Sequence, residues 1–192
     1  MKAIIFDCFG VLTTDLWKEF LASLPADMDI EPARALNRAY DEGHIGMQEF
    51  LEGVRGVTGQ TPSRVEELEE GTIDFIKNTS LLDFIGELRA QQYKIGMISN
   101  IATNWVRDSF LSAKEQQLFD AMIFSFEVGI AKPDTRIFEL ACERLGVEPA
   151  EAVFIDDIDR FCAAAKDLGM QAIVYKDLQQ MKHELATILK TP

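Results

Sequence analysis

Asp7 ends the apolar run Ala3–Phe6, Ser99 and Asn100 follow Gly96-Met97-Ile98, Lys132 precedes Pro133 and Asp134, and Asp156 and Asp157 follow Val153-Phe154-Ile155. These are the residue types that displacement at phosphorus needs. A carboxylate can attack phosphorus and form an acyl-phosphate, which splits one hard displacement into two easier ones. Attack of an anion on an anion requires a cation, and a site of carboxylate and carbonyl oxygens suits Mg²⁺. Asp7 is the expected nucleophile. It is also an expected ligand of the ion with Asp157, and the backbone carbonyl of Phe9 is a third. Asp156 is expected just behind them, orienting the metal or Lys132. Lys132 would offset the charge of nucleophile and phosphate, and Ser99 would donate its hydroxyl to a phosphoryl oxygen. Asn100, by its side-chain amide, and Phe9 are placed in contact with the substrate. Phe9 is also a gap, because such chemistry often sets a second carboxylate two residues past the first.

These residues need a scaffold that brings their chain positions together. Ala3–Phe6, Lys94–Ile98, Ala121–Phe124, Ala152–Ile155 and Ala172–Tyr175 are short apolar runs of the kind that form buried parallel strands. Helical patterns separate the later ones over Ser80–Gln91, Thr103–Leu111, Asp134–Leu145 and Arg160–Leu168, with another over Asp177–Leu189. The alternation predicts an α/β fold, a doubly wound parallel sheet with a Rossmann-like core, whose carboxyl edge gathers the polar strand ends. Residues 14–79 break the rhythm. They show only helical patterns, near Leu16–Leu24, Glu31–Glu42, Met47–Arg55 and Pro62–Lys77. The expected division is therefore an α/β core of residues 1–13 and 80–192 with an inserted all-helical cap over 14–79, placed above Asp7 to exclude water and select substrate.

Composition narrows the partners. The formal charge is −13 with no basic run to offset it, which argues against nucleic acid and anionic membranes. A metal ion and one buried lysine can still reverse the local field for a small anion. Cys8, Cys142 and Cys162 are odd in number and far apart, as in a cytoplasmic protein with reduced thiols. The amino terminus does not read as a signal peptide, and no apolar stretch approaches membrane-spanning length. The chain reads as soluble and cytoplasmic, with its protein partners unknown.

The ordered set Phe6-Asp7-Cys8-Phe9-Gly10-Val11-Leu12, Ile98-Ser99-Asn100, Ala131-Lys132-Pro133-Asp134 and Phe154-Ile155-Asp156-Asp157 resembles the haloacid dehalogenase-like hydrolase superfamily with a helical cap of the first type. Ala163–Met170 has the same look. The resemblance implies a Mg²⁺-dependent phosphatase acting on a small phosphorylated metabolite. Two departures stand out. Relatives that hydrolyse phosphate esters usually carry aspartate where this chain has Phe9, and that residue protonates the leaving alcohol and then activates water. Losing a general acid–base costs about 10²–10⁴ in rate. Phe161 stands where relatives of the Asp-Asp form often place asparagine.

Several residues admit plainer roles. Asp156-Asp157 can cap the following helix, Ser99 can cap another, and Cys8 reads best as a small buried residue beside the nucleophile. His44, in a glycine-flanked loop, and Asp15 are candidates to replace the missing acid, against an exposed loop histidine and a helix cap. Two other functions compete with the phosphatase. A carbon–halogen hydrolase resembles this chain in its aromatic residue after the nucleophile, and Arg38 in the cap would bind its carboxylate or halide. Asp156-Asp157 count against it. A non-catalytic member binding a phosphorylated ligand or a protein is the other.

Overall fold

The computed structural model describes residues 1–69 and 76–190. β1 (Ala3–Phe6), fully buried, forms the centre of the sheet because both of its faces are covered. It pairs in parallel with β2 (Lys94–Ser99) on one side and β4 (Ala152–Asp156) on the other. β3 (Ala121–Phe124) and β5 (Gln171–Val174) complete the order β3-β2-β1-β4-β5. Phe6 is level with Met97 and Ile155, so Asp7, Ser99 and Asp156 emerge along one edge.

Alternate residues of each strand serve opposite faces. Ile4, Phe6, Ile95, Met97, Val153 and Ile155 pack on the helices that carry Leu81, Ile85, Met181 and Leu185. Ala3, Ile5, Ile98 and Phe154 pack with Ile137, Phe138, Cys142 and Ala165 on the other side. This period-two split is what makes the fold doubly wound.

Between β1 and the next core helix come α1 (Leu16–Ser23), α2 (Glu31–Asp41), α3 (Met47–Thr58) and α4 (Ser63–Glu69). The pattern over Pro62–Lys77 appears as α4, and its residues 70–75 lie outside the described residues. Tyr40, Phe50 and Val54 form a separate small core here, with the Tyr40 and Phe50 rings stacked at 4.7 Å. The insert joins the sheet through one neck. Thr13 bridges Lys77 and its hydroxyl donates to the Ile76 carbonyl at 2.9 Å. Asn78 donates its backbone N–H to the Leu12 carbonyl, and its amide to the Val11 carbonyl and the Tyr175 hydroxyl. The same side chain caps α5 (Thr79–Ala90).

The remaining helices follow the alternation: α6 (Ala113–Gln116), α7 (Ser125–Val128), α8 (Thr135–Leu145), α9 (Asp159–Asp167) and α10 (Leu178–Lys190). The α-helix expected over Thr103–Leu111 is instead a five-residue π-helical turn, Val106–Phe110. Trp105 and Phe110 explain the difference. In an α-helix, residues five apart point about 140° away from each other. The wider i→i+5 turn brings both inward, where they stack at 5.0 Å. Among the described residues no helix is long and apolar enough to cross a membrane.

Candidate active site

The loop after β1 turns back on itself, with the N–H groups of Val11, Leu12 and Thr13 all donating to the Cys8 carbonyl. Gly10 sits at φ +82° inside this turn, and a Cβ there would collide with the Asp157 carboxylate. Only glycine lets Asp157 approach so closely. Asp7 is thereby held at the sheet edge, where its Oδ1 accepts from the Cys8 N–H and meets Lys132 Nζ at 2.7 Å.

Lys132 reaches Asp7 from the loop between α7 and α8, and its Nζ also bonds Asp156 Oδ2 at 2.6 Å. All three side chains are almost wholly buried. Burial opposes the charge on Lys132, but Asp156 and then Asp7 more than offset it, so its pKa lies above that of an ordinary lysine. Burial and the Asp156 charge push Asp7 well up, against the pull of Lys132 and the Cys8 N–H. The Lys132 ammonium also lies 5.0 Å from the centre of the Phe161 ring and 5.4 Å from that of Phe154. Phe161 therefore offers Lys132 an aromatic face rather than a hydrogen bond.

Asp7, Asp156 and Asp157 each offer a carboxylate oxygen, and these oxygens lie within 4.8 Å of one another. One buried ammonium does not balance them. Asp157 Oδ1 is buried and has no hydrogen-bond partner among the described residues, while its Oδ2 meets Lys18 Nζ of α1 at 2.5 Å. An orphaned carboxylate oxygen among hard oxygen donors fits a divalent cation such as Mg²⁺.

The other sequence candidates divide sharply. Phe9 lines the cavity and stacks on Trp105 at 5.7 Å, so an aromatic wall stands where a second carboxylate was sought. Asn100 also lines the cavity, but both ends of its amide are bonded to the Lys132 backbone: Oδ1 accepts from its N–H, and Nδ2 donates to its carbonyl. It braces Lys132. Ser99 is fully buried behind the cavity wall, and its hydroxyl has no partner among the described residues. Asp15 caps α1 by accepting from the Lys18 N–H and lines the same cavity as Asp7. Burial raises its pKa, and the Asp157 charge adds to that. His44 is 63% exposed and does not line the cavity, although its Nδ1 lies 3.4 Å from Glu42, which does. Asp156 and Asp157 do not cap α9 as a pair. Its N-cap is Ile158, whose N–H donates to Asp156 Oδ1. The Cys8 thiol is held protonated by burial and the Asp7 charge.

Lys18 escaped the sequence reading, although it lies one helical turn from Asp15. The cavity of about 840 Å³ also draws Arg34 and Arg38 from α2 and Arg160 from α9.

A family model for haloacid dehalogenase-like hydrolases matches residues 1–169. The chain belongs to this family. Its resemblance to individual haloacid dehalogenase-like proteins is uneven. Over 104 residues it is 36% identical to bifunctional epoxide hydrolase 2 of Sus scrofa, covering 48% of this chain but 19% of that protein. D-ribitol-5-phosphate phosphatase of Bacteroides thetaiotaomicron is 24% identical, and the match covers the whole of both chains. Among solved structures, a family enzyme of Bacteroides thetaiotaomicron in complex with magnesium and inorganic phosphate superposes with a TM-score of 0.62 at 22% identity. That alignment covers 94% of this chain and 98% of the other. The haloacid dehalogenase-like fold thus extends over nearly all of the chain.

Proposed function

We propose that this chain is a Mg²⁺-dependent phosphomonoester hydrolase for a small phosphorylated metabolite, working through an aspartyl-phosphate on Asp7. The observation that carries the reading is the trio of clustered carboxylates, two of them held by one buried lysine and the third with an oxygen unpaired among the described residues. Two relatives that align over essentially their full length support it, D-ribitol-5-phosphate phosphatase and a family enzyme solved with magnesium and inorganic phosphate.

Asp7 and Asp157, with the Phe9 carbonyl, would hold Mg²⁺, which would draw Asp7 toward its ionised form and offset the phosphate charge. A carboxylate oxygen of Asp7 attacks phosphorus as the bond to the leaving oxygen breaks. Lys132 holds the attacking carboxylate in place and counters the charge on the transferring group, while Asn100 fixes the Lys132 backbone. Water then cleaves the acyl-phosphate and restores Asp7. The leaving oxygen needs a proton that Phe9 cannot give, and Asp15 is the donor we assign, because it lines the cavity and burial favours its protonated form. The helices of the insert act as the cap that closes over these steps. Substrates with good leaving groups, such as aryl phosphates, acyl phosphates and anomeric sugar phosphates, should be turned over best.

Hydrolysis of an aryl phosphate with and without Mg²⁺, by wild type, Asp7→Asn and Phe9→Asp, tests this. Activity that needs both Mg²⁺ and Asp7, and that rises in Phe9→Asp, is expected. Activity only in Phe9→Asp would indicate a binding protein on a dormant frame. Metal-independent release of halide from a 2-haloacid would instead mark a carbon–halogen hydrolase.

A further inference from the structure

The cavity is far larger than a phosphoryl group requires and matches pockets that enclose whole small molecules, about 300–1,000 Å³. Its floor already holds the cationic group that the scissile phosphate would use, Lys132. Its mouth holds Lys18, paired with Asp157, and three arginines. Arg34 and Arg38 lie one turn apart on α2, and Arg160, in the first turn of α9, lines the same cavity. We propose that Arg34, Arg38 and Arg160 form a second anion site, which recognises a carboxylate or a second phosphate that the substrate carries away from its scissile phosphate. The inference rests on the phosphatase reading and names the class of substrate that reading leaves open.

Arg34 and Arg38 share the cavity with Arg160 and lie near enough to oppose its charge. After burial, the charges of Arg34 and Arg38 are the main influences lowering the pKa of Arg160, which remains a cation at neutral pH. A chain with a formal charge of −13 does not need to crowd its arginines to stay soluble. Crowding them at a cavity mouth costs folding energy that an anionic ligand would return. Arg34 is partly answered by Glu31 at 2.5 Å. Arg38 and Arg160 have no ion pair among the described residues. Both are exposed, and their planar forks suit bidentate bonds to a carboxylate or phosphate. The division of labour is then simple: Lys132 and the metal take the reacting phosphate, and the arginines take the far end of the molecule.

Phosphonates, which cannot be hydrolysed, allow the site to be tested without turnover. Calorimetric titration in Mg²⁺ would compare (4-carboxybenzyl)phosphonate with its carboxamide on wild type, Arg38→Met and Arg160→Met. We expect wild type to bind the carboxylate about tenfold more tightly, corresponding to about 1.4 kcal/mol. Each variant should bring that ratio toward one by weakening the carboxylate more than the carboxamide. A para-xylylene bisphosphonate in the same titrations shows whether phosphate or carboxylate is the preferred remote anion. A wild-type ratio of one, or a ratio unaltered in both variants, overturns the proposal. Hydrolysis of aryl phosphates run in parallel separates the two readings. Turnover with a ratio of one sinks the second anion site alone. A ratio that persists without Mg²⁺- and Asp7-dependent turnover sinks the phosphatase reading alone. Failure of every phosphonate to bind sinks both.

Discussion

Lys132 on the cavity floor is 1% exposed and is held by two carboxylates, whereas Lys18 at the mouth is 61% exposed and meets one. The same side chain does different work in the two places. On the floor, burial makes each charge depend on its neighbours, so the geometry is nearly fixed before a ligand arrives. At the mouth, water screens the charges and the long side chains can rearrange. The groups proposed to carry bond-breaking thus sit on strand ends and on the loop before α8, and those proposed to choose the molecule sit on helix surfaces. Rigid floor and adaptable mouth can then change independently.

That contrast can be broken most severely at the floor. Asp7→Asn should lower aryl phosphate turnover by about 10⁴-fold or more while the protein still folds, as read by steady-state kinetics beside a melting curve. Lys132→Met should cost about 3–5 kcal/mol of stability by leaving buried carboxylates without their partner. Asp156→Asn in the same chain should recover part of that loss in denaturant titrations. A near-neutral Lys132→Met would show that the floor is as well solvated as the mouth.

At the boundary between the regions, Asp15→Asn preserves a good helix cap but removes the acid. Its turnover of alkyl phosphates should fall about 10²-fold, with aryl phosphates little affected. Equal losses on both would move the acid elsewhere. Lys18→Met should tighten Mg²⁺ binding by about fivefold at most, since it frees Asp157 Oδ2 from an exposed pair. Metal titration reads this directly.

The smallest expected effect lies beside the neck, where Glu115 meets Lys77 at 2.8 Å. Burial opposes ionisation of Glu115, but Lys77 and Ser112 outweigh it and hold its pKa below the usual 4.5. A lowered folded value contributes stability above pH 4.5 and loses it as pH falls through that value. Glu115→Gln should remove about 0.5–1 kcal/mol at neutral pH. It should also flatten the acid limb of the stability curve.

The strand ends were legible because an apolar run that stops at aspartate, serine or paired aspartates is an unusual pattern with few structural explanations. Gly10 marked the turn but not its reason, the contact with Asp157, which joins residues from two different strand ends. Asn100 was placed in the right cavity, but only the fold shows its amide turned onto the Lys132 backbone. Arg34, Lys18 and Arg160 were silent for a different reason. On an amphipathic helix a charged residue facing a cavity obeys the same spacing as one facing solvent. The π-helical turn was equally hidden, since Trp105 and Phe110 depart from α spacing only once their stacking on each other and toward Phe9 is known.

The neck has a consequence for how such a molecule can diversify. Residues 11–13 and 76–78 run side by side, so the intervening polypeptide departs and returns at a single address. A stretch of different length, or of unrelated structure, could occupy the interval without altering the spacing of the strand ends. Ancestry can therefore conserve the reaction and trade the recognition, much as a tool keeps its handle and changes its bit.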